Sequence, residues 1–196
     1  MQHAARASVI LPMATLELKI GGFGGQGVIL SGQVIGKAAA LHDGKYSAMT
    51  QSFGPEARGS ACSAQVIVST ERILYPYVRR PDILVVMSQE AYEKFSPALS
   101  PEGMLVYESE LVELSEPAPG ARRAGIPSTR IAEELGRKIV SNIVMTGFFA
   151  AVTKVVSRTA MEQAIRDSVP PGTERLNLAA FGKGYEYGES GAWAQA

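Results

Sequence analysis

The sequence has few of the residues that metal and redox sites need. Its 196 residues contain one cysteine, Cys62, and two histidines, His3 and His42. A single cysteine cannot form an internal disulfide, and it cannot supply the four thiolates that an iron–sulfur cluster requires. Two histidines offer little for a zinc site. We therefore expect no metal site in this chain, and we interpret Cys62 as a small buried hydrophobic residue.

The sequence also lacks an excess of charge and a long apolar run. Lys plus Arg and Asp plus Glu both number 19, so no long-range field would gather nucleic acid or an anionic membrane. No apolar run reaches the roughly 18 residues needed to span a bilayer. With 46% hydrophobic residues, the composition predicts a globular cytoplasmic protein without a nucleic-acid or membrane partner. Any anion site must then be local.

The apolar pattern predicts an α/β fold, a Rossmann-like three-layer sandwich with a mostly parallel central sheet and helices on both faces. The alternation from Leu16 to Ile20 is typical of a strand, and the continuous apolar run from Ile83 to Met87 is typical of a central strand that is buried on both faces. Later strand and helix patterns add a βαβ unit, which is right-handed in nearly all proteins.

We predict one domain over residues 15–187, between a flexible leader (1–14) and a flexible tail (188–196) that is rich in Gly, Ser and Ala. Proline and glycine predict an irregular surface excursion over residues 115–127. Pro76 limits the extended piece that begins at Ile73 to a sheet edge.

A further helix is predicted near residue 159. Thr159 and Glu162 have the spacing of a capping box, in which the hydroxyl and the carboxylate each satisfy an exposed N–H group.

The most informative stretch is the glycine segment, Gly21–Gly27, between the first predicted strand and the first predicted helix. Five glycines in seven positions let the backbone adopt positive φ and leave no Cβ to block a ligand. The helix start that follows presents unpaired N–H groups and the positive end of a dipole. The segment therefore predicts a site for an anionic group.

Two other interpretations of this segment remain. Gly22, Gly24 and Gly27 have the Gly-x-Gly-x-x-Gly spacing of dinucleotide folds, which also need an acidic residue about 20 positions on. Asp43 lies before the second predicted strand rather than at its end, so an ordinary nicotinamide or flavin site is disfavoured. The other alternative is a purely structural turn that allows the helix to pack closely on the strand.

No catalytic set is apparent. Ser31 and Ser60 have no plausible histidine partner, and no Gly-Asp-Gly signature of thiamine diphosphate binding is present. A second loop, residues 51–60, follows the second predicted strand and is expected at the same carboxyl edge of the sheet, where α/β folds bind ligands. The sequence thus predicts part of a binding site without its catalytic half.

Three motifs resemble the gamma subunit of the 2-oxoacid:ferredoxin oxidoreductases: the glycine segment, residues 50–59 and residues 81–85. Their order and spacing match that family, and the resemblance extends from about residue 16 to residue 187. The second motif is most similar to the 2-oxoglutarate branch, with the pyruvate, 2-oxoisovalerate and indolepyruvate branches close behind.

The resemblance implies a subunit of an enzyme complex that converts a 2-oxoacid, coenzyme A and oxidised ferredoxin to acyl-coenzyme A, carbon dioxide and reduced ferredoxin. Thiamine diphosphate, magnesium and iron–sulfur clusters would be bound by partner subunits, namely alpha, beta and a ferredoxin-like delta subunit. This chain would support assembly and help to bind coenzyme A, without being catalytic alone. The residues expected to contact coenzyme A are Gly22, Phe23, Gly24, Gly25, Gln26, Gly27, Ser52 and Arg58.

Alternatives remain open for Arg58 and for the chain as a whole. Arg58 is either part of a surface ion pair with Glu56, worth about 0 to 1 kcal/mol, or a planar fork that grips a partner's carboxylate or a phosphate of coenzyme A. The rival functions for the chain are a ligand-free scaffold subunit and a free-standing nucleotide-binding protein.

Overall fold

The computed structural model describes residues 14–53, 61–115 and 121–195. The strands are β1 (Thr15–Phe23), β2 (Tyr46–Ser52), β3 (Ala61–Ser69), β4 (Ile83–Val86), β5 (Met104–Glu108) and β6 (Arg122–Ile126). They form a six-stranded sheet in the order β2-β3-β1-β4-β5-β6. Strands β1, β4, β5 and β6 are parallel, whereas β3 is antiparallel to both of its neighbours, β1 and β2. Because β2 then points the same way as β1, the sheet is mostly parallel, as predicted.

The helices are α1 (Val28–Lys37), α2 (Gln89–Phe95), α3 (Ser128–Glu134), α4 (Ser141–Thr153), α5 (Arg158–Arg166) and α6 (Glu174–Ser190). A π-helical turn (Ala38–His42) extends α1, and short 3-10 turns cover Ser96–Ala98, Lys138–Val140 and Ala192–Gln195. In the described part of the chain, no helix is both long and apolar enough to cross a membrane.

Helices cover both faces of the sheet, as predicted, but unequally. On one face, Leu18 and Ile20 of β1 join a large core with side chains of α1, α3, α4, α5 and α6. On the other face, a smaller cluster packs beneath α2 and includes Leu84, Tyr92 and Leu105. The alternation along β1 therefore does what its period of two predicts, because successive side chains enter different layers.

Helix α4 is held in place by backbone contact with α6. A Cβ atom at Gly147 would collide with the carbonyl oxygen of Phe181, and a Cβ atom at Gly184 would collide with the carbonyl oxygen of Val144. The two glycines let the helices approach more closely than any side chain would permit. This contact fixes α4, whose first turn lies beside the glycine segment.

The predicted irregular excursion over residues 115–127 is wrong where β6 lies. The segment from Arg122 to Ile126 pairs in register with β5. Gly125 makes room for a neighbouring ring, since a Cβ atom there would lie 2.7 Å from Cζ of Tyr107. Pairing with the preceding strand therefore outweighs the local turn signals.

Two local predictions are also wrong. The piece that begins at Ile73 forms no strand and belongs to the irregular connection between β3 and β4. Helix α5 is capped by Ser157 rather than by Thr159, because the Ser157 hydroxyl accepts a hydrogen bond from the Ala160 N–H (3.2 Å). Ser157 is itself fixed by Asp43, whose carboxylate accepts hydrogen bonds from its N–H and its hydroxyl.

The structure describes the C-terminal end of the chain up to residue 195 but not the first 13 residues. Residues 1–13 of the predicted leader lie outside the described residues. The tail, expected to be flexible from Gly188, is instead helical: α6 continues to Ser190, and a 3-10 turn follows at Ala192–Gln195. The Trp193 indole donates a hydrogen bond to the Gly188 carbonyl (2.9 Å) and packs edge-on against Phe148 at 6.2 Å. Packing of this partly buried ring against the core accounts for the helical conformation of a segment of small residues.

Candidate functional site

The glycine segment begins inside the sheet. Gly21 and Gly22 still belong to β1 and pair with Ser63 and Cys62 of β3. A Cβ atom at Gly21 would lie 2.7 Å from the Phe95 ring, and one at Gly22 would lie 2.7 Å from Oε1 of Gln26. The packing around these two glycines therefore explains them without a ligand.

Gln26 holds the turn that follows β1. Its side-chain oxygen accepts a hydrogen bond from the Phe23 N–H (2.7 Å), and its side-chain amide donates to the Met87 carbonyl (3.0 Å). The Met87 N–H in turn donates to the Gly21 carbonyl (2.9 Å). Gln26 thus ties the glycine segment to the end of β4 and fixes the shape of the loop from within.

Gly25 and Gly27 have different surroundings although both have positive φ, 97° and 73°. Gly27 precedes α1 directly, and a Cβ atom there would lie 2.6 Å from Cγ of Asn142. At Gly25 a Cβ atom would meet no described atom within 4 Å. Gly25 therefore marks the open side of the loop, where another molecule can approach the backbone.

Two helix N-termini meet beside this opening. The Asn142 side-chain amide donates to the Gly27 carbonyl (3.3 Å), which places the start of α4 next to the start of α1. The Thr146 hydroxyl supports the contact, because it donates to the Asn142 carbonyl (2.7 Å) and its oxygen lies 3.3 Å from the Ser31 hydroxyl oxygen. Neither helix has a side-chain cap or an acidic residue in its first turn. The positive end of the α1 dipole therefore lies at the loop and the start of α4 lies next to it, so an anion is the occupant that this arrangement favours.

The other residues predicted to contact coenzyme A lie at different distances from the loop. Phe23 and Gly24 are half-buried in the turn, whereas the Ser52 side chain is exposed at the end of β2. The register runs from Ser52 through β3 to Gly21, so Ser52 lies two strands away, at roughly 10 Å. Arg58 lies outside the described residues. Coenzyme A contact by any of these residues stays a prediction.

Two groups position the loop from outside it, the Asn142 side chain and the Met87 carbonyl, and sequence patterns assigned that role to neither. Asn142 carries a recognisable signal, because it is a buried amide at the start of a mostly apolar helix and such amides are normally hydrogen-bonded. The Met87 carbonyl carries none, since any residue type provides one.

Cys62 has the environment of a structural thiol. It is 7% exposed in the core, and burial raises the pKa of its thiol. Burial therefore favours the uncharged form, as expected for a small hydrophobic residue. Across residues 14–53, 61–115 and 121–195, no three His, Cys, Asp or Glu side chains come together in a way that could hold a metal ion.

Curated relatives resemble this chain over nearly its whole length. It is 49% identical over 172 residues to 2-oxoglutarate synthase subunit KorC of Methanocaldococcus jannaschii, which covers 87% of this chain and 92% of that protein. It is also 49% identical over 176 residues to KorC of Methanothermobacter thermautotrophicus, with 87% and 93% covered.

Solved structures share the fold. The gamma subunit of a keto/oxoacid ferredoxin oxidoreductase from Geobacter sulfurreducens matches with a TM-score of 0.79 and 37% identity, covering 89% of this chain and 99% of that one. The 2-oxoglutarate:ferredoxin oxidoreductase of Magnetococcus marinus matches in fold with a TM-score of 0.82 at 24% identity, over 91% of this chain but 32% of that one. The family model for pyruvate ferredoxin/flavodoxin oxidoreductase matches residues 17–187. The chain therefore belongs to the pyruvate ferredoxin/flavodoxin oxidoreductase family.

Proposed function

We propose that this chain is the gamma subunit of a 2-oxoglutarate:ferredoxin oxidoreductase and that its glycine segment helps to bind coenzyme A. The complex would decarboxylate 2-oxoglutarate oxidatively, join the succinyl group to coenzyme A, release carbon dioxide and pass an electron pair to ferredoxin. The similarity to two KorC subunits over most of both chains supports this assignment. Alpha, beta and delta subunits would carry thiamine diphosphate, magnesium and the iron–sulfur clusters, and this chain would not be catalytic alone.

The observation that carries the ligand proposal is the start of α1. Its N-terminus has no side-chain cap, and the loop before it is open at Gly25. Coenzyme A carries a diphosphate and a 3′-phosphate, and either group can accept hydrogen bonds from free N–H groups at a helix start. The Magnetococcus marinus enzyme was solved with 2-oxoglutarate, coenzyme A and succinyl-CoA bound, which supports the choice of ligand.

The loop residues would act by shape rather than by chemistry. Gln26 holds the turn through its own hydrogen bonds, so the backbone N–H groups rather than its side chain would face the phosphate. Asn142 would keep the start of α4 close by, so that a second dipole end adds to the field. Such a site binds and orients an anion without moving a proton.

The test compares Gly25→Asp with Gly25→Asn in the complex assembled with its alpha, beta and delta subunits. Both side chains have the same size, and both tolerate positive φ better than most residues. The added carboxylate should repel the phosphate or take its place, which would weaken coenzyme A binding by about 1 kcal/mol. The Michaelis constant for coenzyme A should then be roughly fivefold higher than in the Asn variant. The Michaelis constant for 2-oxoglutarate should be the same in both variants.

The outcomes separate the proposal from its rivals. Equal Michaelis constants for coenzyme A in the two variants, in a normally assembled complex, would support a ligand-free scaffold instead. Isolation from the native host tests the remaining alternative. A gamma subunit should come with larger thiamine-binding partners, whereas a free-standing nucleotide-binding protein should be recovered alone.

A further inference from the structure

The two edges of the sheet differ in whether other parts of the described chain cover them. At one edge, the 3-10 turn Ala192–Gln195 packs beside β6, and that strand carries two arginines, Arg122 and Arg123. At the other edge, no element of the described chain pairs with the outer side of β2. Within the described residues, the backbone N–H and C=O groups on the outer side of β2 therefore have no strand partner.

Strand β2 also lacks the features that usually protect an edge. It is seven residues long and contains no charged residue and no proline. Its pairing with β3 runs without a bulge from Tyr46 to Ser52. Sheet edges in natural proteins are normally blunted by charge, proline, bulges or short length, and an edge without these features is a template for another strand.

We propose that β2 pairs antiparallel with β2 of a second copy of this chain, so that two sheets become one across a twofold axis. The strand is complementary to itself. With Met49 on the axis, Tyr46 lies opposite Ser52, Ser47 opposite Gln51, and Ala48 opposite Thr50. No pair brings like charges together, which would oppose association between two identical strands.

Exposed aromatic side chains at both ends of the strand favour the same pairing. Tyr46 is 52% exposed and Phe53 is 65% exposed. In the antiparallel arrangement, Phe53 of one copy follows directly after the residue that faces Tyr46 of the second copy. Because successive side chains of a strand alternate between faces, the two rings lie on opposite faces of the joined sheet, and each would lose exposed apolar surface to the second copy on its own face. This pairing goes beyond the proposed function and is testable with this chain by itself.

The first experiment measures the mass of the full chain by sedimentation velocity over a range of concentrations. The wild type should approach twice 20.8 kDa as the concentration rises. Gln51→Lys should remain a monomer, because pairing would bury its charge at the new ladder. Gln163→Lys, the same change at an exposed position of α5, should dimerise like the wild type. A wild-type chain that stays monomeric at every concentration overturns the proposal.

The second experiment needs no variant and locates the interface. Amide hydrogen exchange in residues 46–52 should slow as dimer forms, whereas exchange in β6 should not change. A dimer with unchanged exchange in β2 overturns the proposal. Protection of β2 that appears only in the assembled complex, with a monomeric free chain, also overturns it and assigns the edge to a strand of a partner subunit.

The third experiment tests the register. A Met49→Cys chain should form a disulfide with its copy under mild oxidation, because directly opposed residues of antiparallel strands have Cα atoms about 4.5 to 5.5 Å apart. Gln51→Cys should not cross-link to its own copy, since that position faces Ser47. A folded Met49→Cys dimer that forms no cross-link overturns the symmetric pairing.

Discussion

Two helices begin at the same edge of the sheet, and the protein completes only one of them with its own atoms. At the start of α3, the carboxylate of Glu108 accepts hydrogen bonds from the Ser128 hydroxyl, the Thr129 N–H (2.9 Å) and the Thr129 hydroxyl (3.2 Å). At the start of α1, no side chain caps the helix, and the loop at Gly25 is open.

The difference shows what the start of α1 lacks. Glu108 comes from the end of β5 and is 1% exposed, so a buried anion lies where α3 is most positive. Helix α2 is intermediate, because the Ser88 hydroxyl accepts a hydrogen bond from the Ala91 N–H (3.3 Å). An internal carboxylate thus stabilises a helix that serves the fold, and we infer that the start of α1 is kept for an external anion.

The largest effect on stability is expected from removing the carboxylate that caps the start of α3. Glu108→Ala removes the acceptor for three donors at the start of α3 and should lower the free energy of unfolding by about 3 kcal/mol. Chemical denaturation measures the change. Glu113→Ala, at an exposed site on the following loop, is the control and should change stability by less than about 0.5 kcal/mol. Equal losses in both variants would contradict the role given to Glu108.

The next effect is expected from adding a side chain at the start of α1. Gly27→Ala should cost about 2 kcal/mol of stability, because the residue has positive φ and its Cβ would crowd Asn142. The double variant with Asn142→Ala should recover part of that loss, since the clash with the amide group disappears, whereas the contact with the Cβ atom of residue 142 (3.0 Å) and the strain in φ remain. If the double variant loses more unfolding free energy than the two single variants together, the two residues do not compete for space.

A smaller effect on stability is expected at Gly25, where the loop is open. Gly25→Ala should cost about 1 kcal/mol through its positive φ alone. Gly172→Ala is a matched control, because Gly172 also has positive φ (85°) and no described atom within 4 Å of a built Cβ. Thermal or chemical unfolding should show similar losses. A higher Michaelis constant for coenzyme A should appear only with Gly25→Ala, and the same rise with Gly172→Ala would sever the link between this opening and the ligand.

The smallest effect concerns a carboxylate that meets no helix start. Asp82, just before β4, accepts a hydrogen bond from the Glu17 N–H (2.8 Å). Burial nevertheless raises its pKa above the ordinary 3.8, with the charge of Glu17 adding to the rise and the hydrogen bond opposing it. The folded state therefore holds this proton more tightly than the unfolded state does. Stability from the protonated form is present below pH 3.8 and is lost as the pH rises through the folded pKa.

Comparison with Asp82→Asn measures this effect, because the amide oxygen can still accept from Glu17. The difference in unfolding free energy between wild type and variant should shift against the wild type as the pH is raised from about 3 to about 6. A difference that stays constant across this range would mean that Asp82 has the same pKa in both states.

Local sequence patterns predicted the parts of the fold that depend on neighbouring residues. The alternation that ends at Ile20 and the apolar run that begins at Ile83 are both present as strands. Strand β6 was missed because its partner, not its own composition, makes it a strand. The cap at Ser157 was missed because Asp43, far away in the chain, fixes it.

The candidate site divides in the same way. The glycine segment and its place before α1 were predictable, since glycine spacing and helix periodicity are local. The contacts that hold the loop were not, because Gln26 reaches across 61 positions to Met87 and Asn142 reaches across 115 positions to Gly27. Such partners are set by the packing of whole helices and strands. The role of Arg58, as a surface ion pair or as a contact to a partner or ligand, stays a prediction.

The packing of Trp193 shows that the folded unit is longer than the segment that the family match covers. The family match ends at residue 187, yet the indole contacts Phe148 in the core and the turn around it lies beside β6. A protease that cuts after Tyr187 would leave every motif intact and still expose a core ring and a bare strand edge. A shortened protein designed on sequence similarity alone should therefore aggregate, although it would keep the whole glycine segment.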